Sequence, residues 1–257
     1  MRKFLTLFTA TLAVVISTPP RADIPINLLE SPRPGEIVAA AAITPLSSVE
    51  YKGKVVSAVG PAGDISIKTD LKLEGKNISL SGAYGLSNTS GIFAAGIFFV
   101  DTEAEWNSAG SKVAGDMDGQ DLVIGGYSSV NLLEKTETMV WGQYRMIDWS
   151  VDGAMGDVDV EGSEIIVGLI GISRRDSGLK LFAGPEYVIS TDIETNSVDV
   201  DIPNLNGSVK GESDKRENSF GLRIGFSKPL KNSDMYIYGS AALMHQQSFF
   251  IGLSTTL

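Results

Sequence analysis

The chain has 257 residues, a formal charge of −10 and no cysteine. Its acidity argues against a nucleic-acid partner, and the lack of thiols excludes a disulfide framework. Past the N-terminus no run of apolar residues is long enough for a transmembrane helix, so passage through a bilayer would require strands closed into a barrel.

Met1, Arg2 and Lys3 form a positive head, residues 4–17 (FLTLFTATLAVVIS) are uncharged and mostly apolar, and Pro19 and Pro20 then break any helix. That order predicts a secretory signal peptide at 1–22 and a single β-barrel domain over 23–257, with 23–48 a candidate periplasmic or plug segment. Strands are predicted near 36–44, 51–59, 64–74, 77–86, 92–101, 121–133, 138–150, 163–173, 178–190, 218–227, 235–243 and 248–257. The first is weakened by the helix-forming run of alanines at 39–42. The count is twelve, or ten if 36–59 forms a periplasmic or plugging segment.

Period-two alternation carries these assignments. It is clearest at 219–227, where Phe220, Leu222, Ile224 and Phe226 alternate with Gly221, Arg223 and Gly225. Ile65, Ile67, Leu71 and Leu73 alternate with Lys68, Asp70 and Lys72, and Ile78, Leu80, Tyr84 and Leu86 with Asn77, Ser79 and Gly85. Leu179, Leu181, Tyr187 and Ile189 lie opposite Lys180, Gly184 and Glu186. In a membrane barrel the greasy face is the outer one, so the charged residues Lys68, Asp70, Lys72, Arg145, Lys180, Glu186 and Arg223 are predicted to face the lumen. There they either pair into a plug or line a small solute channel.

The connections alternate in length. Those at 87–91, 133–137, 174–177 and 228–234 are short; those at 102–120, 152–162 and 192–217 are longer and acidic. Short turns at one rim and long loops at the other suit a barrel spanning a membrane. Aromatic residues fall near both predicted rims, Trp141, Tyr84, Tyr236 and Tyr238 at one and Trp149, Phe98, Phe99, Tyr187, Phe249 and Phe250 at the other. Mutual repulsion keeps the acidic loops extended unless divalent cations bridge them. The fragment DMDGQD at 116–121 has part of a calcium-loop pattern without its distal glutamate, so a hydrated loop is the default reading. The one histidine, His245, lies near Ser248. A serine–histidine pair suggests lipid hydrolysis, but a histidine in a turn is the simpler reading. No residue pattern asks for a cofactor.

The last ten residues, SFFIGLSTTL, place Phe249, Ile251, Leu253 and Leu257 at alternate positions counted back from the end, with small residues between them. This segment resembles the C-terminal insertion signal of Gram-negative outer-membrane β-barrels, although the family prefers a terminal aromatic residue. The resemblance implies an all-β fold, an antiparallel up-and-down transmembrane barrel, in the cell outer membrane. Its implied partners are outer-membrane lipid, lipopolysaccharide and the barrel-assembly machinery. The expected role is non-enzymatic, either a small solute channel or a structural, surface-exposed protein. The alternatives are a lipid-modifying barrel enzyme using His245 and Ser248, and a soluble secreted β-barrel or sandwich that binds a ligand.

Overall fold

The computed structural model describes residues 27, 29–58, 64–108, 111–133, 136–153, 156–195, 198–202, 205–216, 219–244 and 247–257. The predicted signal peptide lies outside them. The strands are β1 (Ile37–Ala58), β2 (Asp64–Gly85), β3 (Ser90–Ser108), β4 (Ser111–Leu133), β5 (Thr136–Gly153) and β6 (Gly156–Arg174), followed by β7 (Lys180–Thr195), β8 (Val198–Ile202), β9 (Leu205–Arg216), β10 (Phe220–Pro229), β11 (Met235–Leu243) and β12 (Gln247–Thr256).

Neighbours pair antiparallel. The ring β1–β7, β10, β11, β12 closes where β12 meets β1 and β10 meets β7, which makes a barrel of ten strands. Closure leaves none of these ten strands with an unpaired edge along its full length. The hairpin β8–β9 stands above β10–β12. There β9 pairs with both β7 and β1, so the far end of the molecule closes through β1–β7 and β9 instead.

Ten strands rather than twelve result because two predicted pairs fuse. Of the stretch 36–59, residues 37–58 form neither a periplasmic nor a plugging segment; they are β1, which runs unbroken past a bulge at Pro45 and Leu46. Proline has no amide hydrogen to give a ladder, and a bulge is where a strand can hold one. Likewise Gly75 and Lys76 do not turn the chain. They sit at a register shift within β2, opposite Thr102 and Val100 of β3. The three stretches expected to be long acidic loops are continuations of paired strands, rising as β3–β4, β5–β6 and β7 with β8–β9. The short turns at 86–89, 175–179 and 230–234 lie at the opposite end, the floor of the barrel.

Alternation persists along each strand, but its polarity reverses part-way up. Near the floor, β2 turns Ile78, Leu80 and Tyr84 outward and buries Asn77 and Ser79. Above Lys76 the same strand turns Lys72 and Glu74 outward and buries Leu71 and Leu73. On β4, Leu122 and Ile124 face out below while Asp116 and Asp118 face out above, with Met117 buried between them. On β6, Ile165 and Val167 face out below, and Asp159 and Glu161 above a buried Val160. On β1 to β7 the boundary falls at Leu46, Ile78, Val100, Leu122, Met146, Ile165 and Ile189 in turn. Below it the barrel is apolar outside; above it the barrel is apolar inside, as a water-soluble barrel would be. Asp70 and Lys72 therefore stand on the outer face, not in the lumen, because they lie above this boundary. The side chain of Lys68 lies outside the described residues.

Close packing inside requires small residues where large ones project across. Gly168 on β6 lies against the Trp141 indole, and a β-carbon there would overlap the ring. Gly168→Ala is expected to destabilise the barrel by about 1–3 kcal/mol, the usual cost of overpacking, read as a lower urea midpoint in micelles.

Candidate functional site

The lumen is where the charged residues converge, in layers. A charge facing lipid costs a few kcal/mol, so the sequence places these groups on the inward phase of the strands. In the upper layer Arg145 of β5 donates through Nε to Asp121 of β4 at 2.8 Å and through Nη1 to Glu164 of β6 at 2.9 Å. Thr191 Oγ1 donates to Glu164 at 3.1 Å, and the Trp149 indole N–H donates to Asp121 at 2.9 Å. The Arg145 guanidinium also lies 5.9 Å from the Trp149 ring centre. In the lower layer Arg223 of β10 donates through Nε to Glu186 of β7 at 2.7 Å and through Nη1 to Ser240 of β11 at 3.4 Å, beside the Trp141 ring. All five charges are buried, with relative exposures of 2% for Arg145 and Arg223, 1% for Asp121 and Glu186 and 0% for Glu164. Taking charges out of water is tolerable only with such dense hydrogen bonding.

Above these layers lies an apolar roof that includes Val49, Tyr51, Leu73, Met117, Trp149 and Val151. Phe99 meets Trp149 edge-on there, with ring centres 5.8 Å apart. Below them the chain preceding β1 crosses the floor. Asn27 Nδ2 donates to Ser227 at 3.1 Å and to Ser254 at 2.8 Å. The Glu30 carboxylate accepts from Lys180 Nζ at 2.6 Å and from Ser227 Oγ at 3.0 Å. Lys180 also donates to the Leu29 carbonyl at 2.8 Å. The strap then reaches the opposite wall, where Pro34 bridges to Gly85 and Gly35, in the left-handed region, turns the chain into β1.

Among the predicted lumen residues, the structure thus brings Arg223 to Glu186, and Arg145 to two carboxylates outside the predicted set. Lys180 faces inward at the floor, away from both clusters. Asp121 belongs to the calcium-loop-like fragment in the sequence and Glu164 follows an acidic stretch. The signal that places them inside is their position on the same alternation phase as Val123 and Ile166. Phe249, Ile251, Leu253 and Leu257 take the outward phase of β12 and the chain end beyond it. Ser248 is buried on the inner wall, out of reach of a bilayer lipid, and His245 lies outside the described residues. Several aromatics expected at the rims are interior instead: Trp141, Trp149, Phe99, Tyr238 and Phe250 are buried, while Tyr84, Phe98, Tyr187 and Phe249 face outward.

Above the boundary the outer face is acidic. Glu74, Glu103, Asp116 and Asp152 lie directly opposite one another across β2–β5. Like charges so placed repel, and hydration must carry them. Among the described residues no group of three or more such side chains is arranged to hold a metal ion. Two ion pairs offset part of the repulsion at this level. The hydrogen bond from Lys76 holds the exposed Asp101 carboxyl below its usual range, and that to Glu74 holds the Lys72 ammonium above its own.

The outward belt of Ile43, Leu80, Ile92, Ile124, Val167, Ile189 and Leu253 is exposed on every side of a closed antiparallel ring. Such a belt needs a hydrocarbon layer around it. The sequence matches no protein-family model and no curated protein. Among solved structures, the chain is similar to the outer membrane protein OprG of Pseudomonas aeruginosa, at 9% identity and a TM-score of 0.51, over 88% of this chain and 98% of that one. It is also similar to the outer membrane protease OmpT of Escherichia coli, at 13% identity and a TM-score of 0.51, over 87% and 97% of the two chains. The fold is that of an outer-membrane β-barrel. At these identities the likeness concerns the backbone of the barrel.

Proposed function

We propose that this protein is a closed, structural barrel of the outer membrane that presents a rigid acidic wall at the cell surface and passes no solute. One observation carries the reading: large apolar side chains of the inner wall are packed away from solvent. Tyr51, Leu73, Ile97, Val123, Ile170 and Phe250, on six different strands, have almost no accessible surface. A water-filled pore would wet the side chains that line it. The Arg145 and Arg223 clusters then act as an internal polar core, replacing hydrophobic packing in the part of the barrel whose outside is apolar. The upper strands carry Asp116, Asp118, Asp159 and Glu161 outward, above the lipid-facing belt. The outward row on β12, ending at Leu257, fits the role of insertion signal.

Planar-bilayer recording tests the reading directly. The purified barrel is expected to give no resolved single-channel steps in molar salt, at protein levels where a porin control conducts. Reproducible steps of uniform size would refute a sealed lumen.

A further inference from the structure

The floor strap differs from the wall in how it is held. Each wall strand is fixed by a continuous backbone ladder to two neighbours. The strap has one backbone bridge to the wall, Pro34 to Gly85. Glu36, just before β1, also accepts from the Gly85 amide. The rest of its hold is Asn27 on Ser227 and Ser254, Glu30 on Lys180 and Ser227, Lys180 on the Leu29 carbonyl, and the buried Leu29 and Pro32. The Glu30–Lys180 pair keeps contact with solvent, at 10% and 15% relative side-chain exposure, so water or another carboxylate competes for it. A segment held mainly by side chains opens at lower cost than a strand laddered along its length.

The partners of Glu30 also have a definite chemistry. Lys180 on β7 supplies an ammonium and Ser227 on β10 a hydroxyl, both to one carboxylate. Ser227 and Ser254 together accept the amide of Asn27, three residues earlier. These are donors for a peptide carboxylate and acceptors for a nearby amide, built on β7, β10 and β12 of one contiguous run of paired strands.

We propose that Lys180, Ser227 and Ser254 form a receptor site for an acidic peptide on the inner wall of the floor, filled in cis by Asn27 and Glu30, and that the strap is a tethered plug able to leave it. Release uncovers the lower lumen, with Arg223, Glu186 and Ser240, to the periplasmic side, while the apolar roof stays shut. The proposal rests on the sealed-barrel reading and adds a floor that opens.

The absence of cysteine allows a clean test. Ser240→Cys places one thiol on the inner wall above the strap. In detergent-solubilised full-length barrel its labelling by a small cationic methanethiosulfonate is expected to be slow. Adding Glu30→Gln or Lys180→Met is expected to raise the rate at least tenfold, with the heat-dependent gel shift unchanged. A synthetic peptide spanning residues 27–34 restores protection to the Glu30→Gln protein, and the same peptide carrying glutamine for Glu30 does not. Equal labelling rates in all three proteins, or protection by both peptides alike, would overturn the proposal. Bilayer recording separates this from failure of the sealed reading: steps from the unmodified protein defeat the latter, whereas a silent barrel with unchanged labelling defeats only the plug.

Discussion

Arg145→Met is expected to lower the unfolding free energy by about 3–5 kcal/mol, a loss larger than that expected for Gly168→Ala in the same wall. Methionine fills much of the same volume but removes the donors that serve Asp121 and Glu164. Both carboxylates are buried among β4, β5 and β6, so their charges would lose this guanidinium without gaining bulk water. Arg145→Lys keeps the charge but cannot bridge two carboxylates with a planar fork, and an intermediate loss is expected. Adding Asp121→Asn and Glu164→Gln to Arg145→Met should recover more than half the loss, because a neutral amide costs less to bury than a carboxylate. Urea titration in micelles, read by tryptophan fluorescence, measures the unmodified barrel and these three variants. A loss below about 1 kcal/mol for Arg145→Met would mean that water reaches these carboxylates, and the dry lumen would be wrong.

The second large effect lies on the outside and compares two sites on one strand. Ile124 and Asp118 share the outward face of β4, on opposite sides of the polarity boundary. Ile124→Arg puts a guanidinium at mid-belt, and a cost of about 2–4 kcal/mol is expected for folding into lipid vesicles. Asp118→Arg lies above the belt, in the acidic zone, and is expected to change stability by less than about 0.5 kcal/mol. Equilibrium folding into vesicles at graded urea reads both. If the two substitutions cost the same, the belt does not face hydrocarbon and a soluble barrel becomes the better account.

Much of this architecture is legible without any tertiary contact. The alternation of Phe220, Leu222 and Ile224 with Gly221 and Arg223 fixes both strand and facing, because greasy and charged side chains cannot share a lipid-wetted surface. The outward row on β12 and the inward direction of Arg145, Glu186 and Arg223 follow from the same reasoning. The departures also have physical causes. Gly75-Lys76 has the composition of a turn, yet its backbone finds partners on β3, and a bulge is cheaper than a reversal that would strand those groups. Stretches such as 152–162 resemble loops because four of their eleven residues are acidic. They are strands because Val158 and Val160 pack into an apolar core that no local pattern reveals.

The sequence alone determined a closed all-β fold, its antiparallel order and the positions where side chains alternate. Only the tertiary structure decided which of the two alternating faces points inward above the belt, which carboxylates meet Arg145, and that residues 29–36 cross the floor. The reason is that a two-residue period specifies two faces without saying which solvent each one meets. That depends on height: the outer wall passes from apolar to charged side chains at Ile78 and Lys76, and above that level only the interior can bury the apolar face.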